Sequence, residues 1–361
     1  MITGIAAMIF GIMFLVVAHE FGHWIVARLC GMWTPVFSIG FGPRKYSLIL
    51  GKFWDTEFRL SPIPLGGYVA LPEMGDETSA SEIAQSLGTG KRQFRRFPVY
   101  KRMAVAVAGV VMNVLVAFAL IFGIFAFKGI PAPEITSTFV AQLNPQVSIA
   151  RDAGLQPNDV FLAADGHTVV TPDDLHSELA SHAGQPVVLH IRRGASELDV
   201  TVTPNASGQI GIMLGATEKM AYQPVSTGQA LSASAQVTVR GTGQIFYAIG
   251  GMLHIVTPTP GADASSVHSM IGIVQYGANA WQASFISFIF LIATISLNLA
   301  VFNILPIPVL DGGYVLFMSI EKLRGKPLSV ETQNKLKMAF FYLLIGLFVF
   351  GIMNDIRHPL K

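Results

Sequence analysis

The chain has 361 residues, of which 52% are hydrophobic and 13% charged, and its mean hydropathy is +0.53. Soluble globular domains carry about 25% charged residues, so an ordinary soluble protein is excluded and a polytopic α-helical membrane protein with a modest aqueous part is expected. The net charge of +2 decides little by itself and calls for no nucleic-acid partner; the lone Cys30 rules out an intramolecular disulfide, so any part outside the cytoplasm must rely on its apolar core.

In chain order, the first candidate span covers 3–24. It lacks the basic leading region of a signal peptide, so an uncleaved span is expected. Its end reads "VVAHEFGHWIV" (16–26). Ionisable groups at membrane depth cost at least a few kcal/mol each, so something must compensate them. His19-Glu20-Phe21-Gly22-His23 is H-E-x-x-H: positions i and i+4 share a helix face, both imidazoles can reach one ion, and Glu20 beside them can take a proton from an attacking water. Zinc accepts imidazole nitrogen and carboxylate oxygen, and a catalytic site leaves one position open; the ion acidifies water and polarises a carbonyl. Two structural histidines with a capping glutamate are the alternative.

The loop that follows is β-rich over 36–72. "FSIGFGPRKYSLIL" and "DTEFRLSPIPLGGYVAL" have strand composition and are separated by Gly51-Lys52; Pro62, Pro64, Gly66 and Gly67 interrupt the second. An ordinary surface hairpin and a sheet edge beside the active site are both open. Residues 76–95 are polar and expected to be flexible, and a second span covers 103–127. Residues 134–215 read as a small α+β module, with turns at Asp165-Gly166 and Arg193-Gly194 and a helix from Thr171 to Gly184. Residues 225–283 read as an amphipathic, interfacial linker, in which the apolar run 244–256, too short to span, is part of an interfacial or buried amphipathic helix beginning near Gly228. Two further spans cover 284–305 and 338–354.

Arginine and lysine crowd the loops between spans 1 and 2 and between spans 3 and 4, whereas 128–283 opens acidic. The positive-inside rule then leaves both termini and 128–283 outside, and the basic loops in the cytoplasm.

Two histidines need a third ligand. The candidates are Glu57, Glu73, Asp76, His254, His268 and Asp311. Asp311 follows span 3 in "NLAVFNILPIPVLDGGYVLF", where Pro306 and Pro308 interrupt the helix and Gly312-Gly313 frees the backbone. A turn aspartate ahead of Gly-Gly is the alternative. Spans 1 and 3 both run outside to inside, so Asp311 arrives at the face of the histidines, provided that 244–256 does not span.

These residues resemble the site-2 protease family of intramembrane zinc metalloproteases, in particular the bacterial regulator-of-sigma-E protease type. The resemblance covers nearly the whole chain and rests on H-E-x-x-H, on "FGP" and "PLGGYV", and on "NILPIPVLDGG"; "AGLQPNDVFLAADGHTV" and "GIMLGA" resemble a PDZ domain, which would occupy 134–215. The chain departs from the family pattern at Ser269-Met270 and at Gly109-Val110 ahead of Asn113, where glycine-proline is usual.

The resemblance implies Zn2+ held by His19, His23 and Asp311, Glu20 as general base, and Asn303 contacting the substrate backbone or the oxyanion; a helix–helix hydrogen bond is the other role open to Asn303. It implies a multi-pass protein of the bacterial inner membrane with its active site towards the cytoplasm. The substrates would be single-span proteins such as anti-sigma factors after a first cut outside. A strand edge at 58–71 would pair with the unwound substrate, and the PDZ domain would touch the substrate's ectodomain or its carboxyl terminus. A PDZ-bearing scaffold with a structural metal is the main competing reading, though a structural site has no use for Glu20. A metal-ion carrier is the other, and it predicts a path of polar residues that span 4 lacks.

Overall fold

A computed structural model describes residues 2–71, 94–252, 255–257 and 270–357. The expected flexible stretch, apart from its last two residues, and four of the candidate ligands (Glu73, Asp76, His254 and His268) lie outside the described residues.

Helix α1 (Ile2–Leu29) is followed by strands β1 (Val36–Phe41), β2 (Leu48–Phe53), β3 (Thr56–Leu60) and β4 (Ile63–Val69), then by helix α2 (Val99–Lys128). Next come β5 (Ile130–Leu143), the single turn α3 (Ile149–Asp152), β6 (Val160–Ala164), β7 (His167–Thr168), α4 (Pro172–Ser181), β8 (Val187–Arg193), β9 (Ser196–Val202) and β10 (Ile212–Gln223). The chain continues with α5 (Thr227–Met252), α6 (Met270–Ala283), α7 (Phe285–Ile304), α8 (Asp311–Arg324) and α9 (Val330–Arg357). Two compact units result: Met1–Phe127 with Ser226–Lys361, and Lys128–Val225.

In the first unit, four helices among the described residues are long and apolar enough to cross a bilayer: α1, α2, α7 and α9 over Val330–Phe350. The 28 residues of α1 and the 30 of α2 run to about 42–45 Å at 1.5 Å per residue, longer than a hydrocarbon core of about 30 Å. None of the apolar window of α9 is buried against protein, which suits a helix solvated by lipid. Up to Met252 the run 244–256 belongs to α5, which buries Ala230, Ser234 and Thr238 and is not one of the four candidate spans among the described residues. Within the stretch 225–283, the helix expected from near Gly228 starts at Thr227, a second helix, α6, follows among the described residues, and α6 seats on α1. A Cβ at Gly4 would stand 2.9 Å from Ala278 Cα, and one at Gly277 would strike Met8. Small residues permit this close approach.

The strands after α1 form a sheet in the order β2-β3-β1-β4, with β1 and β3 parallel and the other pairs antiparallel. Its hairpin turn is not at Gly51-Lys52, which lies inside β2 at a register shift where Gly51 has φ +144°. The turn is Trp54-Asp55, both residues with positive φ (49° and 60°), as a two-residue hairpin of type I′ requires. Of the edge expected over 58–71, Phe58, Arg59 and Leu60 lie in β3 and pair with β1 on one side and β2 on the other. Pro62 ends that strand, and β4 alone is terminal on this side of the sheet. Strand β2, the opposite edge, exposes Leu48, Ile49, Leu50 and Phe53 on both faces. An exposed apolar patch on that scale marks contact with something other than water, and in a membrane protein lipid meets the description.

Trp24 fastens the sheet to α1. Its Nε1 donates to Thr56 Oγ1 at 2.9 Å, and the rings of Phe58 and Phe37 pack on it with centroids 5.3 and 6.4 Å away. Ala27, Met32, Leu71, Phe94, Val105 and Met318 form one core that joins the end of α1 to the start of α2 and to α8.

The second unit is a six-stranded antiparallel sheet in the order β10-β5-β6-β8-β9, with β7 beside β6. Its core is built on Val140, Leu155, Phe161, Leu175, Leu189 and Ile191. Thr171 and Asp174 close a capping box at the start of α4. Asp159, fully buried, is satisfied by Arg193, whose Nε and Nη2 each donate to a carboxylate oxygen at 2.7 Å. The strands β5 and β10 pair along their whole length, from Leu143 opposite Ile212 to Ile130 opposite Gln223.

Candidate metal centre

His19 and His23 stand one turn apart on α1, both buried. Their rings meet edge to face with centroids 4.8 Å apart, and their Nε2 atoms are 3.2 Å from each other. Between them in sequence, Gly22 lets α2 approach: a Cβ there would lie 2.8 Å from Met112 Cβ and closer still to Ala108 O. The reciprocal contact is Gly109 on α2, where a Cβ would fall 2.6 Å from His19 Cε1, 2.8 Å from His19 Nε2 and against His23 Nε2.

Asp311 is the first residue of α8. Residues 305–310 interrupt the helical path after α7 at the two prolines, and local bonds keep the freed backbone satisfied: Ile307 N–H donates to Leu305 O and Leu310 N–H to Ile307 O. Irregular backbone at this depth must find such partners. Gly312 and Gly313 serve a purpose other than the one sequence suggests. Neither takes a positive φ. A Cβ on Gly312 would strike the carbonyls of Ile304 and Leu305, and one on Gly313 would stand 2.5 Å from Pro308 Cα. They let the first turn of α8 press back against the broken segment.

The Asp311 side chain, 14% exposed, reaches both rings: Oδ2 lies 3.0 Å from His19 Nε2 and 3.3 Å from His23 Nε2. A helix N-terminus favours a carboxylate at this point. Among the described residues, these three are the one cluster of histidine, cysteine or acidic side chains whose donor atoms converge as metal ligands, all within 4.8 Å of one another. The set also passes a size test. A tetrahedral ion with bonds of about 2.0–2.1 Å separates its ligands by roughly 3.3 Å, and the three separations here are 3.0, 3.2 and 3.3 Å. Asp311 Oδ2 is buried with no conventional hydrogen-bond donor, the condition a cation relieves. Two imidazoles and a carboxylate suit zinc.

Glu20, one residue along from His19, turns to a different neighbour: its Oε2 accepts the Val69 N–H of β4 at 3.1 Å. This bond ties the candidate general base to the terminal strand. Glu57 is taken up elsewhere, by Arg44 Nε and Nη2 at 3.1 and 3.0 Å and by Arg59; those two guanidinium groups hold its carboxyl below the usual range against the opposing effect of its partial burial, with the Arg44 bond as the largest influence. Asn303 lies half-buried in the last turn of α7 and makes no side-chain hydrogen bond to the described residues.

Sequence reasoning gave no role at the metal centre to three contributors on α2, although Gly109 and Asn113 bracket one of the departures from the family pattern. Val105 O accepts His23 Nδ1–H at 2.7 Å, Asn113 stands 3.2 Å from His19 Nδ1, and Gly109 clears the space between them. The one available signal was a lone asparagine in an otherwise apolar span. Further along, Arg102 forms a two-pronged pair with Glu321 of α8, with Nη1 donating to Oε2 at 3.0 Å and Nη2 to Oε1. The pair pins α8, and with it Asp311, to α2. Removing one partner of such a pair costs about 3–5 kcal/mol when both are buried, towards the lower end here because Glu321 keeps 20% of its side chain exposed.

The sequence profile described as "Peptidase family M50" matches residues 7–347. A protein of Nostoc sp. that bears the name "Putative zinc metalloprotease" is 36% identical over 351 residues, covering 94% of this chain and 92% of the relative. Relatives of the same name in Brucella suis and Clostridium perfringens are each 31% identical; the first covers 95% of this chain and 92% of its own, the second 96% of both.

Proposed function

This chain belongs to peptidase family M50, and from that premise we propose that it hydrolyses peptide bonds of membrane-spanning substrates within the bilayer, using zinc on His19, His23 and Asp311 and Glu20 as general base. As a member, it is a zinc metalloendopeptidase and a multi-pass membrane protein. The observation that carries the finer reading is the convergence of the three ligand atoms beside Glu20.

Bound there, zinc supplies a Lewis acid that acidifies water and polarises the scissile carbonyl. The protein does the rest. Val105 O orients the His23 ring. Glu20 takes the proton from the attacking water and returns it to the departing amine. Its bond to Val69 N–H keeps the carboxylate off the ligand atoms. Asn303 is assigned to the substrate backbone or the oxyanion.

A helical substrate must unwind before attack, and each backbone group left bare in lipid costs several kcal/mol. The terminal strand β4 supplies partners by strand addition, and its bond to Glu20 sets that pairing next to the base. A photocrosslinking residue in place of Tyr68, in Glu20→Gln protein, is expected to capture uncleaved substrate, while one in place of Leu50 in β2 is not. The opposite pattern removes β4 from this role.

The charge distribution supports a bacterial inner-membrane protein with the unit Lys128–Val225 and both termini outside and the active site towards the cytoplasm. We read that unit as a PDZ domain contacting the substrate's ectodomain or carboxyl terminus, with trimmed anti-sigma factors as the substrate class. The test of the core proposal is reconstitution in liposomes with a single-span substrate. Cleavage within the span is expected, lost on chelation and restored by stoichiometric zinc. Cleavage that survives complete metal removal would overturn it.

A further inference from the structure

Asn113 sits fully buried near the middle of α2, where the helix crosses the bilayer. Burying an amide costs free energy unless its groups are paired, so its presence in an apolar helix needs a reason. The atom placed 3.2 Å from His19 Nδ1 is the amide nitrogen, Asn113 Nδ2, while Asn113 Oδ1 is buried with no partner. The backbone at this residue is held too: Ser296 Oγ on α7 donates to Asn113 O at 2.8 Å. The asparagine is therefore fixed between α1 and α7.

An imidazole that offers Nε2 to a metal must carry its proton on Nδ1, and an acceptor must meet that proton. His23 has such an acceptor in Val105 O. At His19 Nδ1 the group in reach is the Asn113 amide. The two ends of an amide have the same shape, and which one faces a neighbour follows from the bonding network. With the nitrogen towards His19, the amide donates to Nδ1, and the ring proton moves to Nε2, the atom 3.0 Å from Asp311 Oδ2. That arrangement denies His19 to a cation. With the oxygen towards His19, Nδ1–H is satisfied and Nε2 keeps its lone pair.

We propose that Asn113 is a positioning residue of the metal centre: its side-chain oxygen accepts the His19 Nδ1–H, setting the tautomer and ring orientation in which His19 binds the ion. This rests on the reading of His19, His23 and Asp311 as the zinc ligands. Asn113 touches neither substrate nor ion and acts only through the histidine.

The test measures zinc affinity of the full-length protein in detergent by chelator competition, together with the visible absorption of the cobalt-substituted form. Asn113→Leu keeps the volume and removes the acceptor. Its zinc affinity is expected to fall 10–100-fold, the usual effect of losing such a partner, with an altered cobalt spectrum. Asn113→Asp restores an acceptor and is expected to bind zinc within about threefold of wild type. Wild-type affinity in the leucine variant overturns the proposal, as does equal loss in both variants with unchanged thermal unfolding. If the leucine variant does not fold, Asn113→Ala takes its place under the same criteria. His19→Ala, measured in parallel, separates the two levels: zinc binding that survives it defeats the ligand assignment itself, whereas loss there with retention in the leucine variant defeats only the role of Asn113.

Discussion

Glu20→Gln is expected to abolish cleavage of a single-span substrate while leaving zinc content at the wild-type level. The two halves of that result have separate physical grounds. The amide cannot take a proton from water, and a positioned general base contributes about 10²–10⁴-fold, so turnover should fall by that factor or more. The metal should stay, because Glu20 is not among the converging donor atoms and turns its Oε2 to Val69 N–H instead. Glutamine has the same shape and its carbonyl oxygen still accepts that N–H. Rates in liposomes and zinc per protein by elemental analysis check both. Unchanged cleavage removes Glu20 from catalysis; lost zinc would make it part of the metal shell.

Gly109→Ala is expected to disable metal binding while sparing the fold. The added carbon would fall 2.6–2.8 Å from atoms of the His19 ring and against His23 Nε2. Both rings are ends of rotatable side chains, so they can swing clear and the fold can survive. They cannot do so and still face Asp311. Loss of one outer partner costs about 10–100-fold in metal affinity; displacing two ligands should exceed that, with roughly 10²-fold as the minimum. Zinc affinity by chelator competition and thermal unfolding, measured on the same preparation, check it. Wild-type affinity would show that the rings have room that the geometry denies them.

The legible part of the centre was the part set by local chemistry. H-E-x-x-H fixes its own geometry, because i and i+4 must share a helix face. Asp311 could be matched to it only through charge, since the basic loops decide which membrane face each span reaches. The rotation of α2 was not legible. A helix that is apolar all round has no stripe to show which side faces a neighbour, so Val105 carried no mark, and Gly109 and Asn113 showed only a family-pattern position and the asparagine's polarity, neither of which gives a role. In the sheet, the parallel pairing of β1 with β3 joins strands that are not successive in sequence, and no local pattern encodes that. The hairpin turn was misplaced because Trp54 does not advertise a positive φ, whereas Gly51 looks like a turn and proves to be a bulge.

The glycines at the helix crossings have a consequence for how the substrate must behave. At Gly22, Gly312 and Gly313, backbone meets backbone or a neighbouring Cβ with no room for a methyl group. Side chains between helices can act as cushions, taking up small displacements by changing rotamer; at these points there are none. The jaw around His19, His23 and Asp311 is accordingly stiff, and on the proposed function the bending needed to bring a peptide bond to it falls to the incoming chain.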